Sequence, residues 1–458
     1  MIAPAAHRPM AGGFARRGAC PALSAPMKTG DGLLARLNPV AGGLTPAQLG
    51  GLCEAAQAHG NGVVEVTARG SIQVRGLTES SAVLFAQAID RLGISARTGV
   101  PVQTGALAGL DPNEIADPTT LAEMIRAGTA KAGLEARLGP KISVVIDGGG
   151  RTALIEVAAD VRLTAIHVEG LPHWRVAIAG DAATARTLGI AHGDTEASEA
   201  ALALLSEIAA MGREARARDL SEAQLLRVSN RLSGSHPAMP PSGHAAGSLV
   251  GTTRLRDDRL AFGVALPFGH TKAKLLKALA EAAQTLGIDD IRPAPGRTLV
   301  ALCGTAIDAE TLKNQAETLG FVTSPDDVRQ AISACPGAPE CASGHLPARL
   351  VAAEIANEYS SLLDGSIHLH VSGCAKGCAH PGKADLTVVG CAGGAGLVVN
   401  GTARDEPLGF VDNVGARGGL AAVAALVSAG RHTEEATAQA IDRIGFSALA
   451  EAFGQSGK

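Results

Sequence analysis

The sequence predicts an α+β protein made of two copies of a two-part unit, at about 33–215 and 258–430. Three observations predict it. A strand–helix–strand plan near the start returns after the middle of the chain. Ile367-His-Leu-His-Val-Ser-Gly373 resembles Ile142-Ser-Val-Val-Ile-Asp-Gly148. Between the copies, Ser233 to Ser248 is rich in Gly, Pro and Ser, which is linker composition. A repeat this long implies pseudo-two-fold packing, with a site at the junction.

Taken in order, residues 1–30 are expected to be irregular. Leu33 to Leu37 is a short strand. Thr45-Pro46-Ala-Gln48 is a capping box with proline at the first helical position, so a helix runs to about Ala58, closed by Gly60 and Gly62. Val63 to Leu77 is one long strand, or two bent at Gly70, and a helix covers about Ser80 to Leu92. Asp111-Pro112 and Asp117-Pro118 mark helix starts. Lys141 to Asp147 is a strand ending in Gly148-Gly149-Gly150. Strands around Thr152–Ala158 and Trp174–Ala179 follow, then a helix around Ala197–Met211. After the linker, Leu260–Leu266 is a strand, Thr271–Leu286 a helix, Ile288–Leu302 extended and Ala309–Leu319 a helix. Pro267, Gly269, Thr271 and Gly287 stand where Pro39, Gly42, Thr45 and Gly60 stand in the first copy. Ser324-Pro325 caps a further helix.

Composition narrows the function classes. The 458 residues are too many for one ordinary core. At 46% hydrophobic and 18% charged they are ordinary for a folded chain. A net charge of −4 leaves no global nucleic-acid footprint, and 2% aromatics argues against stacking platforms. Eight cysteines in such a length are no disulfide framework, which points to a reducing, cytoplasmic setting. Arg16-Arg17 is followed by no apolar export segment, and no run suits a membrane span. No G-x-G-x-x-G opens a helix after a strand, so a nicotinamide or flavin domain is not expected.

Four cysteines carry the chemistry. Cys335 and Cys341 are spaced C-x5-C in Ser333-Ala-Cys-Pro-Gly-Ala-Pro-Glu-Cys341. Cys374 and Cys378 are spaced C-x3-C in Val371-Ser-Gly-Cys-Ala-Lys-Gly-Cys378. Four thiolates match the four irons of a cubane cluster. Pro336, Gly337 and Pro339 prevent a helix and free N–H groups to face sulfur. Zinc is the alternative, fitting C-x3-C but poorly C-x5-C, and plain buried thiols are another.

A basic strand is the second signal. If Thr67 to Arg75 is extended, Thr67, Arg69, Ser71, Gln73 and Arg75 share one face, with Val66, Ala68, Ile72 and Val74 on the other. Guanidinium forks suit carboxylates and phosphates, though such a face is often only solvated. Lys141, Ser143, Val145 and Asp147 share a face of their own strand. His368 and His370 lie on one face just before Cys374, while His345 and His380 follow Cys341 and Cys378. Each is an iron ligand, a donor to sulfur or substrate, or structural.

With C-x5-C, C-x3-C, repeated halves and a T-x-R-x-x-x-Q-x-R strand, the chain resembles the sulfite and nitrite reductase superfamily over about 30–430. Four stretches look closest to the branch that oxidises precorrin-3A in aerobic cobalamin biosynthesis. They are Gly18-Ala-Cys-Pro21 with Asp31-Gly-Leu-Leu34, Thr67 to Leu77, Leu138-Gly-Pro-Lys-Ile-Ser143, and His370 to Pro381. The resemblance implies two halves, each a ferredoxin-like unit plus an α+β cluster-type domain. The divisions expected are 31–105, 106–232, a linker at 233–249, 250–323 and 324–458.

It further implies a [4Fe–4S] cluster on Cys335, Cys341, Cys374 and Cys378. The tetrapyrrole carboxylates would lie on Arg69, Gln73 and Arg75, with Arg36, Lys141 and Arg297 also assigned. For the precorrin branch it implies C20 hydroxylation with O2 and γ-lactone formation, using a mononuclear non-haem iron of unnamed ligands. Electrons would come from NADH, through a separate reductase. Two departures separate this chain from sulfite reducers. Ser143 stands where they usually carry a second lysine, and Arg97 to Thr104 lacks their Arg-Asn pair. Those cations serve a small oxyanion. The alternatives are a sirohaem-dependent sulfite or nitrite reductase and a non-catalytic iron–sulfur or zinc protein that binds a tetrapyrrole.

Overall fold

The computed structural model describes residues 21–38, 42–97, 99–151, 154–234, 248–412 and 415–455. Arg16-Arg17, Gly18 to Cys20, Pro39 and most of the expected linker lie outside these residues. The first half opens with β1 (Met27–Thr29), β2 (Gly32–Leu37), α1 (Pro46–His59), β3 (Val63–Val66), β4 (Ile72–Leu77) and α2 (Glu79–Arg91). Met27–Thr29 was expected to be irregular but pairs with β2 across a tight turn. The α1 capping box forms as read, with Thr45 and Gln48 exchanging both hydrogen bonds. The extended stretch divides at a turn, where Thr67 N donates to Ser71 O and Gly70 N to Thr67 O.

The next layer holds β5 (Val102–Gln103), α3 (Thr119–Lys131), the one-turn α4 (Leu134–Arg137), β6 (Val144–Asp147), β7 (Ala159–Val168), β8 (Leu171–Gly180), β9 (Arg186–Ala191), α5 (Asp194–Ala210) and α6 (Glu222–Ser229). Three expectations fail here, each because a carboxylate or guanidinium captures backbone. Asp111-Pro112 starts no helix, because the buried Asp111 carboxylate holds Asn113 N and Arg151 N. Lys141 sits in a turn, not a strand, and β6 begins only at Val144; Asp160 holds Ser143 N. The described part of the Thr152–Ala158 stretch is turn, because it wraps Arg162, which bonds Leu154 O and Val157 O.

The second half repeats the plan with β10 (Gly251–Arg254), β11 (Leu260–Ala265), β12 (His270–Lys272), α7 (Ala273–Thr285), β13 (Ile291–Ala294), β14 (Thr298–Cys303) and α8 (Ala306–Thr318). Then come β15 (Ile332–Ala334), α9 (Ala348–Glu358), β16 (Leu369–Ser372), β17 (Ala384–Cys391), β18 (Gly394–Gly401), β19 (Gly409–Val411), α10 (Ala416–Gly430), α11 (Thr437–Ile444) and α12 (Phe446–Gln455). Ser324-Pro325 leads only to a 3-10 turn at Val328–Ala331, with Asp327 holding Arg329 N. The two larger sheets share one topology. Orders β5-β6-β7-β8-β9 and β15-β16-β17-β18-β19 each run parallel, parallel, antiparallel, antiparallel.

The smaller sheets interlock. β12 joins the edge of the first at β3, and Leu44 forms a bridge with Ile291 of β13 in the other. One core then holds Leu49, Leu52 and Ala56 of α1 with Leu276, Leu279 and Ala283 of α7. Each buried leucine contributes about 1.5–3 kcal/mol. Among the described residues, no helix is long and apolar enough to cross a membrane.

Candidate iron–sulfur and tetrapyrrole site

The cysteines follow the ends of two adjacent parallel strands, where α/β sheets commonly bind ligands. β15 and β16 run in register, Ala334 beside Val371, so Cys335 emerges next to Gly373 and Cys374. Gly373 N donates to Cys335 Sγ at 3.1 Å. Such N–H···S bonds are the outer-shell contacts a cluster thiolate needs. The loops press together: a Cβ on Gly373 would meet Gly337 Cα at 2.7 Å and Cys335 Sγ at 3.4 Å. Gly337 has φ +72°, which favours glycine. Burial raises the Cys335 pKa, as do Cys378 and Cys341, while the Gly373 N–H opposes this. Thiol donors backed by a backbone N–H are the chemistry an iron–sulfur cluster takes. Among the described residues, no three His, Cys, Asp or Glu side chains could hold a single ion as they stand. A single ion needs sulfurs within about 3.8 Å of one another, whereas a cubane spreads them over four irons.

The basic strand lies within a polar row across the first small sheet. Arg36, Gln73, Glu65 and His270 lie opposite one another on β2, β4, β3 and β12. The Gln73 amide, oriented by its neighbours, accepts from Arg36 Nε (2.7 Å) and Nη2 (2.6 Å) and donates to Glu65 Oε2 (2.9 Å). Arg75 is 3% exposed. Its Nε and Nη2 donate to Asp31, at 3.0 and 2.8 Å, and Nη1 lies 3.6 Å from Glu65. Nη2 also donates to Glu340 O at 2.5 Å, inside the C-x5-C loop, and Gly30 N donates to the same carbonyl. Burial works to lower the Arg75 pKa, but Asp31 and Glu65 hold it above its usual value. Arg349 of α9 reaches Glu65 at 2.6 Å. Arg75 and Gln73, expected to bind substrate, are therefore engaged with protein groups beneath the junction.

Arg69 leaves the expected row, because the Thr67–Gly70 turn ends the strand there. It is exposed, and its Nη2 donates to Ala158 O (2.7 Å). Lys141 is exposed at the entry to β6. Arg297 has φ +64° and reaches the cysteine domain, donating to Ala379 O (2.9 Å) and Ser333 Oγ (3.3 Å). Burial and then Arg349 lower its pKa to about 10. His368 Nε2 lies 3.0 Å from the same Ser333 Oγ. His368, His370 and His380 sit together, with ring centroids 4.6 Å apart for 368–380 and 5.8 Å for 370–380. His370 is fully buried and neither ring nitrogen has a partner. Burial first, then His380, His368 and Arg297, lowers its pKa to about 3, and burial, then His380 and Arg297, lowers that of His368 to about 4, so both rings are neutral at pH 7.

Sequence reasoning missed Asp31, Glu65, His270, Ser333 and Arg349 as site residues. Glu65 alone left a signal, a charge alternating with Val64 and Val66 on a buried strand. The others reach the site through long-range contacts.

Comparisons with known proteins agree with this architecture. The family model of the nitrite/sulfite reductase ferredoxin-like half domain matches residues 25–91. A precorrin-3B synthase from Sinorhizobium sp is 36% identical over 96% of this chain and 95% of its own length. Sulfite reductase (ferredoxin) 2 from Mycolicibacterium paratuberculosis is 30% identical over 34% of this chain and 29% of its own. The solved structure of the Mycobacterium tuberculosis NirA protein superposes with TM-score 0.74 at 22% identity, covering 90% of this chain and 83% of that one, which shows the shared fold.

Proposed function

The chain belongs to the precorrin-3B synthase family, and on that premise we propose that it is an O2-dependent monooxygenase of cobalamin biosynthesis. It would convert precorrin-3A to precorrin-3B by hydroxylating C20 and closing a γ-lactone. The observation that carries this is the 36% identity over nearly the full length of both chains. One atom of O2 enters the product. The other leaves as water, with two electrons and two protons supplied from outside. NADH is the source of the electrons, through a separate reductase. A reducing cytoplasm suits exposed and half-buried thiols such as Cys378 and Cys341.

Cys335, Cys341, Cys374 and Cys378 would hold a [4Fe–4S] cluster, which supplies single-electron transfer when bound. A mononuclear non-haem iron would supply O2 activation when bound; among the described residues, no three His, Cys, Asp or Glu side chains are grouped to hold it as they stand. Arg36, Arg69, Arg297 and Lys141 are proposed to meet the substrate's carboxylate rim. Gln73 and Arg75 act from beneath, Gln73 orienting Arg36 and Arg75 holding the cysteine loop. Ser143 is buried with its N–H on Asp160, so position 143 supplies no second cation to pair with Lys141. That favours a tetrapyrrole bound as substrate over a cage for sulfite.

The test is iron and labile-sulfide analysis with an absorption spectrum on protein purified without oxygen, followed by precorrin-3A, O2 and a reductant. About five irons, four sulfides and no sirohaem bands, with a product heavier by one oxygen, are expected. Sirohaem bands would move the reading to a sulfite or nitrite reductase. Zinc without sulfide would overturn both.

A further inference from the structure

We propose, on the premise of a [4Fe–4S] cluster, that Lys376 raises the cluster's reduction potential by holding an ammonium charge across the two cysteine loops. Lys376 lies midway between Cys374 and Cys378 in the C-x3-C loop. Its Nζ donates to Ser343 Oγ at 2.8 Å, and Ser343 stands two residues beyond Cys341 in the other loop. The loops press together here. Gly344 N donates to Cys341 O at 2.8 Å, and His345 N donates to Gly373 O at 2.7 Å, beside Cys374. A Cβ on Gly373 would stand 3.4 Å from Gly344 Cα. The ammonium is therefore anchored between the loops that carry all four cysteines.

Charge is what singles this lysine out. It is half-buried, and among the described residues its ammonium meets a neutral hydroxyl and no carboxylate. Arg75, which also touches the cysteine loops, is already matched by Asp31 and Glu65. Arg297 reaches Ala379 O just after Cys378 and is assigned to the substrate's carboxylates. A half-buried cation without a counter-charge is costly unless the site supplies one. Four thiolates around a cubane supply it: their net charge is negative and grows by one when the cluster is reduced. A fixed cation favours the reduced form over the oxidised form, and so raises the potential. The cluster takes one electron from its donor. No bond forms or breaks at Lys376, and the ammonium keeps its proton. A raised potential lets the cluster accept that electron from a donor of modest reducing power, such as a reductase fed by NADH.

The full-length protein, purified without oxygen with its cluster, is compared with Lys376→Gln, Lys376→Arg and Ser343→Ala. Labile sulfide is measured. The midpoint potential is read by titration with dithionite and dye mediators, followed by electron paramagnetic resonance of the reduced cluster. Lys376→Gln should keep its sulfide and take up the electron about tenfold less favourably, a potential about 59 mV lower. Lys376→Arg keeps the charge and should stay within about threefold of wild type. Ser343→Ala frees the ammonium from the second loop and should fall between the two. A wild-type potential in Lys376→Gln at full sulfide would overturn the proposal and leave the cluster reading standing. Equal shifts in Lys376→Gln and Lys376→Arg would overturn it too, because packing rather than charge would then set the value. If Lys376→Gln does not hold its cluster, Ser343→Ala decides, and a wild-type potential there would overturn the proposal. Wild type without sulfide would overturn the cluster reading, and this proposal with it.

Discussion

Removing the Arg75 guanidinium would leave Asp31 without its counter-charge, leave Glu65 with Arg349 alone, and take from Glu340 O one of its two donors. Breaking a buried pair costs about 3–5 kcal/mol. Arg75→Ala should therefore lower the melting temperature and the labile sulfide content together, and Arg75→Lys should recover only part, since one ammonium cannot bridge both partners. Full sulfide and an unchanged melt in Arg75→Ala would refute the clamp. The pair also sets an acid limb. Burial raises the Asp31 pKa, but Arg75 and Thr29 pull it below 3.8 overall, so this stability is present above that value. It is lost as pH falls through the folded pKa. Glu114 has the opposite sign. Burial raises its pKa from 4.5 to about 8, so the fold binds a proton that the unfolded chain releases, and stability declines as pH rises between those values. Glu114→Gln should raise the melting temperature at pH 8 and change it little at pH 5, which thermal melts at the two pH values would check. Gly373→Ala would force a Cβ to 2.7 Å from Gly337 Cα. Sulfide content should fall while far-ultraviolet circular dichroism stays near wild type.

Elements were legible where local chemistry decides them. The Thr45-Pro46-Ala-Gln48 box starts α1 as read, and Thr45→Ala should cost about 1 kcal/mol in a denaturant titration. An unchanged midpoint would mean that packing against α7 alone fixes the helix start. Short apolar runs gave β2, β11 and β16 nearly at their bounds and the second part of β8. Elements were misread where a distant side chain captures the backbone. Arg162 bends the segment before β7, Asp160 delays β6, and Asp111 replaces a helix with a turn. The same limit applies to the site. The cysteine pairs were readable from spacing, because each pair lies in one loop. The role of Arg75 was not, because alternation gives its face but cannot show that Asp31 and Glu340 already occupy that face. The grouping of His380 with His368 and His370 likewise depends on how the loop after Cys378 folds back.

At the scale of the molecule, neither half is complete alone. β12 of the second half closes the first small sheet, with Ala273 N donating to Gly62 O just beyond it. Leu44 of the first half exchanges two 2.8 Å backbone bonds with Ile291 of the second. The α1–α7 core is continuous, and Arg75, Arg349 and Gly30 tie the first half to the cysteine domain. Separating the halves would expose strand edges and a leucine-rich helix face at once. A protease site placed between residues 234 and 248 tests this. After complete cleavage the two fragments should co-elute on size exclusion under native conditions and keep the iron–sulfur absorption, parting only in denaturant. Fragments that separate in native buffer, each still folded, would show that the interlocked sheets contribute little. The pseudo-two-fold pairing would then not be what holds the cysteine loops against Arg75. If the fragments stay together, the junction is the part of the fold that cannot be divided, and that is where the cysteine loop, the polar row and Arg297 meet.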